Sequence, residues 1–245
     1  MKNKKGFTLT EVLLAVLIAG IIGVALASLT TVASREAGLG RSKVMLRNNL
    51  SLALRQLRND IHASSQVLYV RGEISGVGTS AIPLLVIAQN TLLDGTAFGS
   101  GANYITYCFV PGSVTTFANG GAVVPAGATD GGVIYRREAD SLPSWTASDG
   151  PDCGTPATDS DFRIWLRNVK FIAPSGTDNY PVPYFRVPGF ANSSYDRYDT
   201  GVNLDKNLGS RLSVSLVLEL PSAPVLNDAT TETFVLPNGF LEPRI

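Results

Sequence analysis

Apolar residues follow three successive patterns along this chain. From Val12 to Ser34, 23 positions pass without one charge, and Leu, Ile, Val and Ala dominate. At about 1.5 Å rise per residue such a helix spans roughly 34 Å, enough to cross a hydrocarbon core of about 30 Å. Further on, Leu46, Leu50, Leu54, Leu57 and Ile61 recur at intervals of three or four, with Arg47, Arg55, Arg58 and Asn59 off the stripe. That spacing predicts an amphipathic helix over 35–71, which Gly38 and Gly40 weaken and where they could form a bend. From residue 72 the texture becomes β. Pro83–Ala88, Tyr104–Val110, Gly132–Arg137, Trp165–Ile172 and Thr233–Leu236 are short runs rich in β-branched, aromatic and other apolar residues. The clearest strand is Arg211–Leu220, where Leu212, Val214, Leu216, Leu218 and Leu220 share one face. Ser213, Ser215, Val217 and Glu219 take the other, the pattern of a half-buried antiparallel strand. Polar, Gly/Pro-rich loops are expected over 111–131, 138–161 and 174–210. One helix packed on an antiparallel sheet is an α+β architecture.

Composition refines this picture. The 245 residues are enough for one large domain or two small ones with a buried core. With 44% apolar and 16% charged residues, a wholly disordered chain is excluded. A net charge of zero argues against binding nucleic acid by bulk charge, and no nucleic-acid partner is expected. The zero is a cancellation, however. Residues 1–71 hold ten Lys/Arg against three acids, leaving ten against 17 for residues 72–245. No proline precedes Pro83, and no aromatic residue occurs between Phe7 and Tyr69.

Candidate chemistry is sparse. With His62 the single histidine, a Ser-His-Asp triad or a two-histidine metal site would have to be built around it. His62 reads most simply as a helix residue, so no catalytic residue, metal or cofactor is assigned and the chain is not expected to be an enzyme. Gly76-Val77-Gly78 reads as a turn, because no helix opens after it and Pro83 interrupts. Asp196, Asp199, Asn203 and Asp205 form a polar cluster that could bind Ca²⁺, though a solvated acidic loop is the preferred reading. Tyr180 to Tyr198, rich in Tyr, Phe and Pro, is a candidate partner surface.

The N-terminus carries more information. Lys2, Lys4 and Lys5 precede the apolar run, so the positive-inside bias keeps the N-terminus cytoplasmic and sends the remainder outward. Two readings compete for the run itself. Ala25-Leu26-Ala27 satisfies the small-x-small site of an ordinary signal peptide, which would release a secreted adhesin or enzyme beginning at Ser28. Glu11 counts against that reading. A charge inside hydrocarbon costs about 2.5–3.5 kcal/mol, and a signal peptide has no use for it.

Lys5-Gly6-Phe7-Thr8-Leu9-Thr10-Glu11, followed at once by an apolar helix, resembles the type IV prepilin signature. The resemblance implies cleavage by a prepilin peptidase between Gly6 and Phe7, N-methylation of the new Phe7 amine, and retention of the apolar segment. It also implies that Glu11 of an incoming subunit pairs with the Phe7 amine of a neighbour during filament assembly. Ala19, Gly20, Gly23 and Ala27 supply small-residue spacings for close helix packing, while the proline common here in major pilins is missing. Arg55-Gln56-Leu57-Arg58-Asn59-Asp60-Ile61 is similar to the corresponding segment of minor pilins and J-type minor pseudopilins of type II secretion. Glu11 argues against the K-type tip subunit, which characteristically lacks that acid.

Four segments follow from these readings: a leader over 1–6, a transmembrane and assembly helix over 7–34, an amphipathic helix over 35–71, and an exported β-rich domain over 72–245. Cys108 and Cys153 are the only cysteines. For an exported domain a disulfide between them is the natural reading, with two free thiols as the alternative. The pilin-like resemblance implies a subunit of a type IV pilus or a type II secretion pseudopilus. Its partners would be prepilin peptidase, other pilins or pseudopilins, the inner-membrane assembly platform and the membrane. It would sit in the inner membrane, with the C-terminal domain outside the cytoplasm, before joining the filament.

Overall fold

The computed structural model describes residues 8–71, 81–92, 101–111, 131–146, 150–170, 184–187, 195–196, 211–220 and 223–236. The leader and its junction at Gly6 and Phe7 lie outside these residues, as do Gly76-Val77-Gly78, Asp199, Asn203, Asp205 and most of Tyr180–Tyr198. The chain divides into two compact units, Met1–Met45 and Leu46–Ile245. One helix, α1 (Leu9–His62), begins in the first and ends in the second.

Within the first unit every position of α1 from Leu9 to Gly38 is exposed, including Leu13, Leu17, Ile21 and Val24. Hydroxyls of Ser28, Thr30 and Thr31 bond back to carbonyls of the helix itself. Ser28 Oγ donates to the Ala25 carbonyl at 2.8 Å, and Thr31 Oγ1 to the Ala27 carbonyl at 2.7 Å. The surface turned outward is therefore almost purely hydrocarbon, and the helix is long and apolar enough to cross a membrane. α1 runs unbroken through Gly38 and Gly40, the positions at which the sequence could allow a bend. A glycine costs a helix only about 1 kcal/mol, too little to break one this long.

In the second unit α1 turns its stripe inward. Leu46, Leu50, Leu57 and Ile61 are buried, Ala53 joins them, and Leu54 packs at the margin. The helix stops at His62, nine residues short of the expected 71. Ser64 closes the end, its hydroxyl donating to the Ile61 carbonyl at 2.6 Å. The next residues form β1 (Gln66–Val70), buried at all five positions. The correction has a physical cause: Val67, Leu68, Tyr69 and Val70 are apolar on both faces, which suits an inner strand better than a one-sided helix.

The other strands are β2 (Ile82–Gln89), β3 (Asn103–Pro111), β4 (Gly131–Ala139), β5 (Trp145–Thr146), β6 (Gly150–Pro151) and β7 (Phe162–Lys170). They continue as β8 (Tyr184–Arg186), β9 (Tyr195–Asp196), β10 (Arg211–Leu220) and β11 (Ala223–Val235). Nine form one antiparallel sheet in the order β11-β10-β7-β4-β3-β2-β1-β9, with β8 also pairing β10, while β5 and β6 pair separately. The expected α+β class is what the structure has. Stretches expected as loop carry the short strands β5, β6, β8 and β9. Pro83 sits inside β2 at a register irregularity, one of the few sheet positions that tolerates a missing N–H.

Two apolar layers flank the sheet. On the α1 side, the helix stripe meets Leu85, Ile87, Ile105, Phe109, Ile134, Leu216 and Leu218. A separate cluster groups Cys108, Val110, Val133, Tyr135 and Phe162 with Cys153 and Ala157 of the loop before β7. Cys108 and Cys153 form a disulfide, so β3 is fastened to that loop. Gly132 shows how tight the sheet is: a Cβ there would lie 2.1 Å from the Val110 carbonyl oxygen. Replacing the fully buried Leu57 by Ala is expected to lower unfolding free energy by about 2–5 kcal/mol in urea titrations of the full chain. The same change at Leu52, 62% exposed, is expected to shift it by less than about 0.5 kcal/mol.

Candidate functional site

At its N-terminus α1 is closed by a capping box. Thr8 is the cap residue. Its backbone N–H donates to Glu11 Oε2 at 2.9 Å and its hydroxyl donates to the same oxygen at 2.8 Å. The N–H groups of Glu11 and Val12 donate to the Thr8 carbonyl at 3.1 and 3.2 Å. Donors that a helix start leaves unpaired are thereby used, and the carboxylate sits at the positive end of the helix dipole. Glu11 thus has a partner within its own chain. Thr8 went unassigned in the sequence reading, although Thr-x-x-Glu ahead of an apolar run is the pattern of such a box. Phe7, the proposed partner of Glu11 in a neighbouring subunit, and Gly6 are not among the described residues.

A second polar node lies where α1 meets the sheet in the second unit. Asp60 is only 8% exposed and lies on the buried face of the helix with Ala53, Leu57 and Ile61. Arg136 on β4 grips it with two bonds, Nε to Oδ2 at 2.8 Å and Nη2 to Oδ1 at 3.1 Å. Tyr107 on β3 adds a third, its hydroxyl donating to Oδ2 at 2.5 Å. Arg136 Nη1 reaches on to Glu138 Oε2 at 3.0 Å, and Asn103 Nδ2 donates to Glu138 Oε1 at 2.7 Å. A planar guanidinium met by two carboxylates is well suited to hold a fixed geometry in a poorly solvated place.

The protonation behaviour follows from these contacts. Burial and the adjacent Asp60 carboxylate push the Tyr107 hydroxyl well above its usual value of 10.0. Burial opposes charge on Arg136, but its bonds and proximity to Asp60 outweigh this and hold the guanidinium above its ordinary range. The hydrogen bond from Asn103, followed by that from Arg136, lowers Glu138 below 4.5. Asp60 was noticed in the sequence only as part of the minor-pilin-like segment. The available signal was a lone carboxylate one position before Ile61, on the apolar face.

The other candidates separate. His62 is exposed at the helix end, away from this node. Asp196 falls in β9, while its three proposed companions lie outside the described residues. Among the described residues, no group of three His, Cys, Asp or Glu side chains is arranged to hold a metal ion.

Comparison with known proteins adds one match. Residues 1–27 fit the family model of the prokaryotic N-terminal methylation motif. No curated protein and no solved structure matches the chain. The motif supports a type IV pilin-like structural subunit, and the apolar N-terminal helix with its antiparallel sheet is consistent with a pilin-like fold.

The Asp60 node makes stability sensitive to alkali. A raised hydroxyl keeps its proton in the folded state when an unfolded tyrosine, above pH 10, has begun to lose it. The stabilisation is therefore complete below pH 10 and is lost as pH rises through the folded value. Tyr107→Phe is expected to cost about 1–2 kcal/mol at pH 7. The variant should also lose stability less steeply than the wild type above pH 10, read from denaturation midpoints across a pH series.

Proposed function

We propose that the chain is a minor pilin or pseudopilin, a structural subunit of a type IV pilus or a type II secretion pseudopilus. The observation that carries this reading is the methylation motif over residues 1–27 running directly into a fully exposed apolar helix. Prepilin peptidase cuts between Gly6 and Phe7 on the cytoplasmic side, and the new Phe7 amine is methylated. Cleavage removes Lys2, Lys4 and Lys5, leaving 17 basic against 20 acidic residues in the mature chain. The apolar part of α1 then anchors the subunit in the inner membrane, with the second unit outside the cytoplasm.

Assembly runs through Glu11. A carboxylate and an amine are each costly in lipid alone, and pairing offsets much of that cost, so the pair fixes register as a subunit leaves the bilayer. The Thr8 bonds give the carboxylate two donors until the neighbour's Phe7 amine arrives. Other pilins or pseudopilins and the inner-membrane assembly platform are the partners, and the role is structural rather than catalytic. The Arg55–Ile61 segment, similar to that of minor pilins and of J-type minor pseudopilins alike, supports a minor subunit.

Intact-mass and N-terminal peptide analysis of the mature chain is expected to give a start at methylated Phe7. A start at Ser28 would instead identify an ordinary secreted protein and overturn the reading. Glu11→Ala is expected to be processed normally yet to be missing from sheared filaments. Filaments containing that variant at wild-type abundance would remove the pairing argument.

A further inference from the structure

Six basic residues lie along α1, and they divide between the two units. Arg47, Arg55 and Arg58 belong to the second, where Arg47 pairs with Asp228 and Arg58 with Glu232. Arg35, Arg41 and Lys43 belong to the first, and all three are exposed. Among the described residues no acid forms an ion pair with any of the three. Glu36 is the one acid between Arg35 and Lys43, so the segment keeps an excess of positive charge.

The position of these charges points to their partner. Arg35 follows directly on the uncharged run Val12–Ser34, and Arg41 and Lys43 lie about 10 and 14 Å past Ser34 along the helix. A headgroup layer extends about 5–8 Å beyond the hydrocarbon core on each side. Long basic side chains reach back toward it, and attraction to an anionic surface persists over a Debye length of about 8 Å. The distribution around the helix matters as much. At about 100° per residue the three bases are separated by about 80°, 120° and 160°, so they encircle the axis. A protein surface meets a helix from one side, whereas a lipid layer surrounds it.

We propose that Arg35, Arg41 and Lys43 form a collar that binds the phosphate headgroups of anionic phospholipids where the apolar run leaves the bilayer. The assignment rests on the reading of Val12–Ser34 as a membrane span. Residues 7–34 contain no Lys or Arg, so once the leader is cut away the collar is the nearest basic flank of that run. It then fixes the depth of the mature helix in the membrane.

The test places the full chain in nanodiscs of equimolar phosphatidylcholine and phosphatidylglycerol. Native mass spectrometry of the released chain counts the lipids it retains. Phosphatidylglycerol is expected to be retained over phosphatidylcholine by about fivefold. The triple variant Arg35→Gln/Arg41→Gln/Lys43→Gln should lose most of that preference. Glutamine is a comparable helix former and all three sites are exposed, so the helix itself is kept. Arg55→Gln, also exposed but in the second unit, should leave the preference unchanged. Equal retention of the two lipids by an inserted chain would overturn the collar alone. So would a preference that survives the triple variant and is abolished by replacing Lys2, Lys4 and Lys5. Dimers in pure phosphatidylcholine discs that the triple variant dissolves would assign the three bases to an acidic neighbouring copy and also overturn it. A chain that never enters the discs would refute the membrane span, and the collar with it.

Discussion

Asp60 is held by Arg136 through two nitrogens and by Tyr107 through a third donor, at the point where α1 lies against the centre of the sheet. Apolar side chains elsewhere along the stripe pack without fixing the rotation or axial position of the helix. A carboxylate gripped by a planar guanidinium does fix both, because a shift of one turn would strand a charge away from water. Removing one partner of such a buried pair typically costs about 3–5 kcal/mol, whereas the intact pair contributes little net stability. Its value here is positional: it sets the register of the Leu46–His62 part of α1 on the sheet. Tyr107 extends that influence, since its ring also packs edge-on against Trp165 at 4.9 Å.

The charge partition along the chain has a physical counterpart within the second unit. Arg47 lies 3.7 Å from Asp228, and Arg58 pairs with Glu232, so basic residues of α1 meet acids on the edge strand β11. These contacts are partly solvated and contribute about 0–1 kcal/mol each. Together with the Asp60 node they tie the helix to the sheet at strands far apart in the order, β11 and β4. The helix is therefore oriented by polar contacts at its margins and stabilised by the apolar stripe between them.

Much of this was legible beforehand, and the exceptions have definite causes. The stripe from Leu46 to Ile61 and the alternation along Arg211–Leu220 were readable because one face of each is buried and periodicity survives. The strand Gln66–Val70 was not, because a segment buried on both sides has no alternation and follows the helix after only three residues. The short strands β5, β6, β8 and β9 have too few residues for any period. Glu11 stood out as a charge beside a hydrocarbon run, while Thr8 was missed because a cap is a local bond that only the pair of residues reveals. Asp60 and Arg136 lie 76 positions apart, and nothing in sequence spacing joins them. The pairing of Cys108 with Cys153 needed only their number and the expectation of export.

That disulfide divides the finishing of the fold into two occasions. The layer beneath α1 is complete once the chain has collapsed, since it depends on apolar contact and the Asp60 node alone. The layer around Tyr135 and Phe162 closes under a loop that Cys153 ties to β3, and thiols join only where the surroundings are oxidising. A chain still in a reducing compartment has its inner layer but an unfastened outer one. The sheet therefore carries a chemical timestamp: one side reports that the protein has folded, the other that it has met oxidising surroundings.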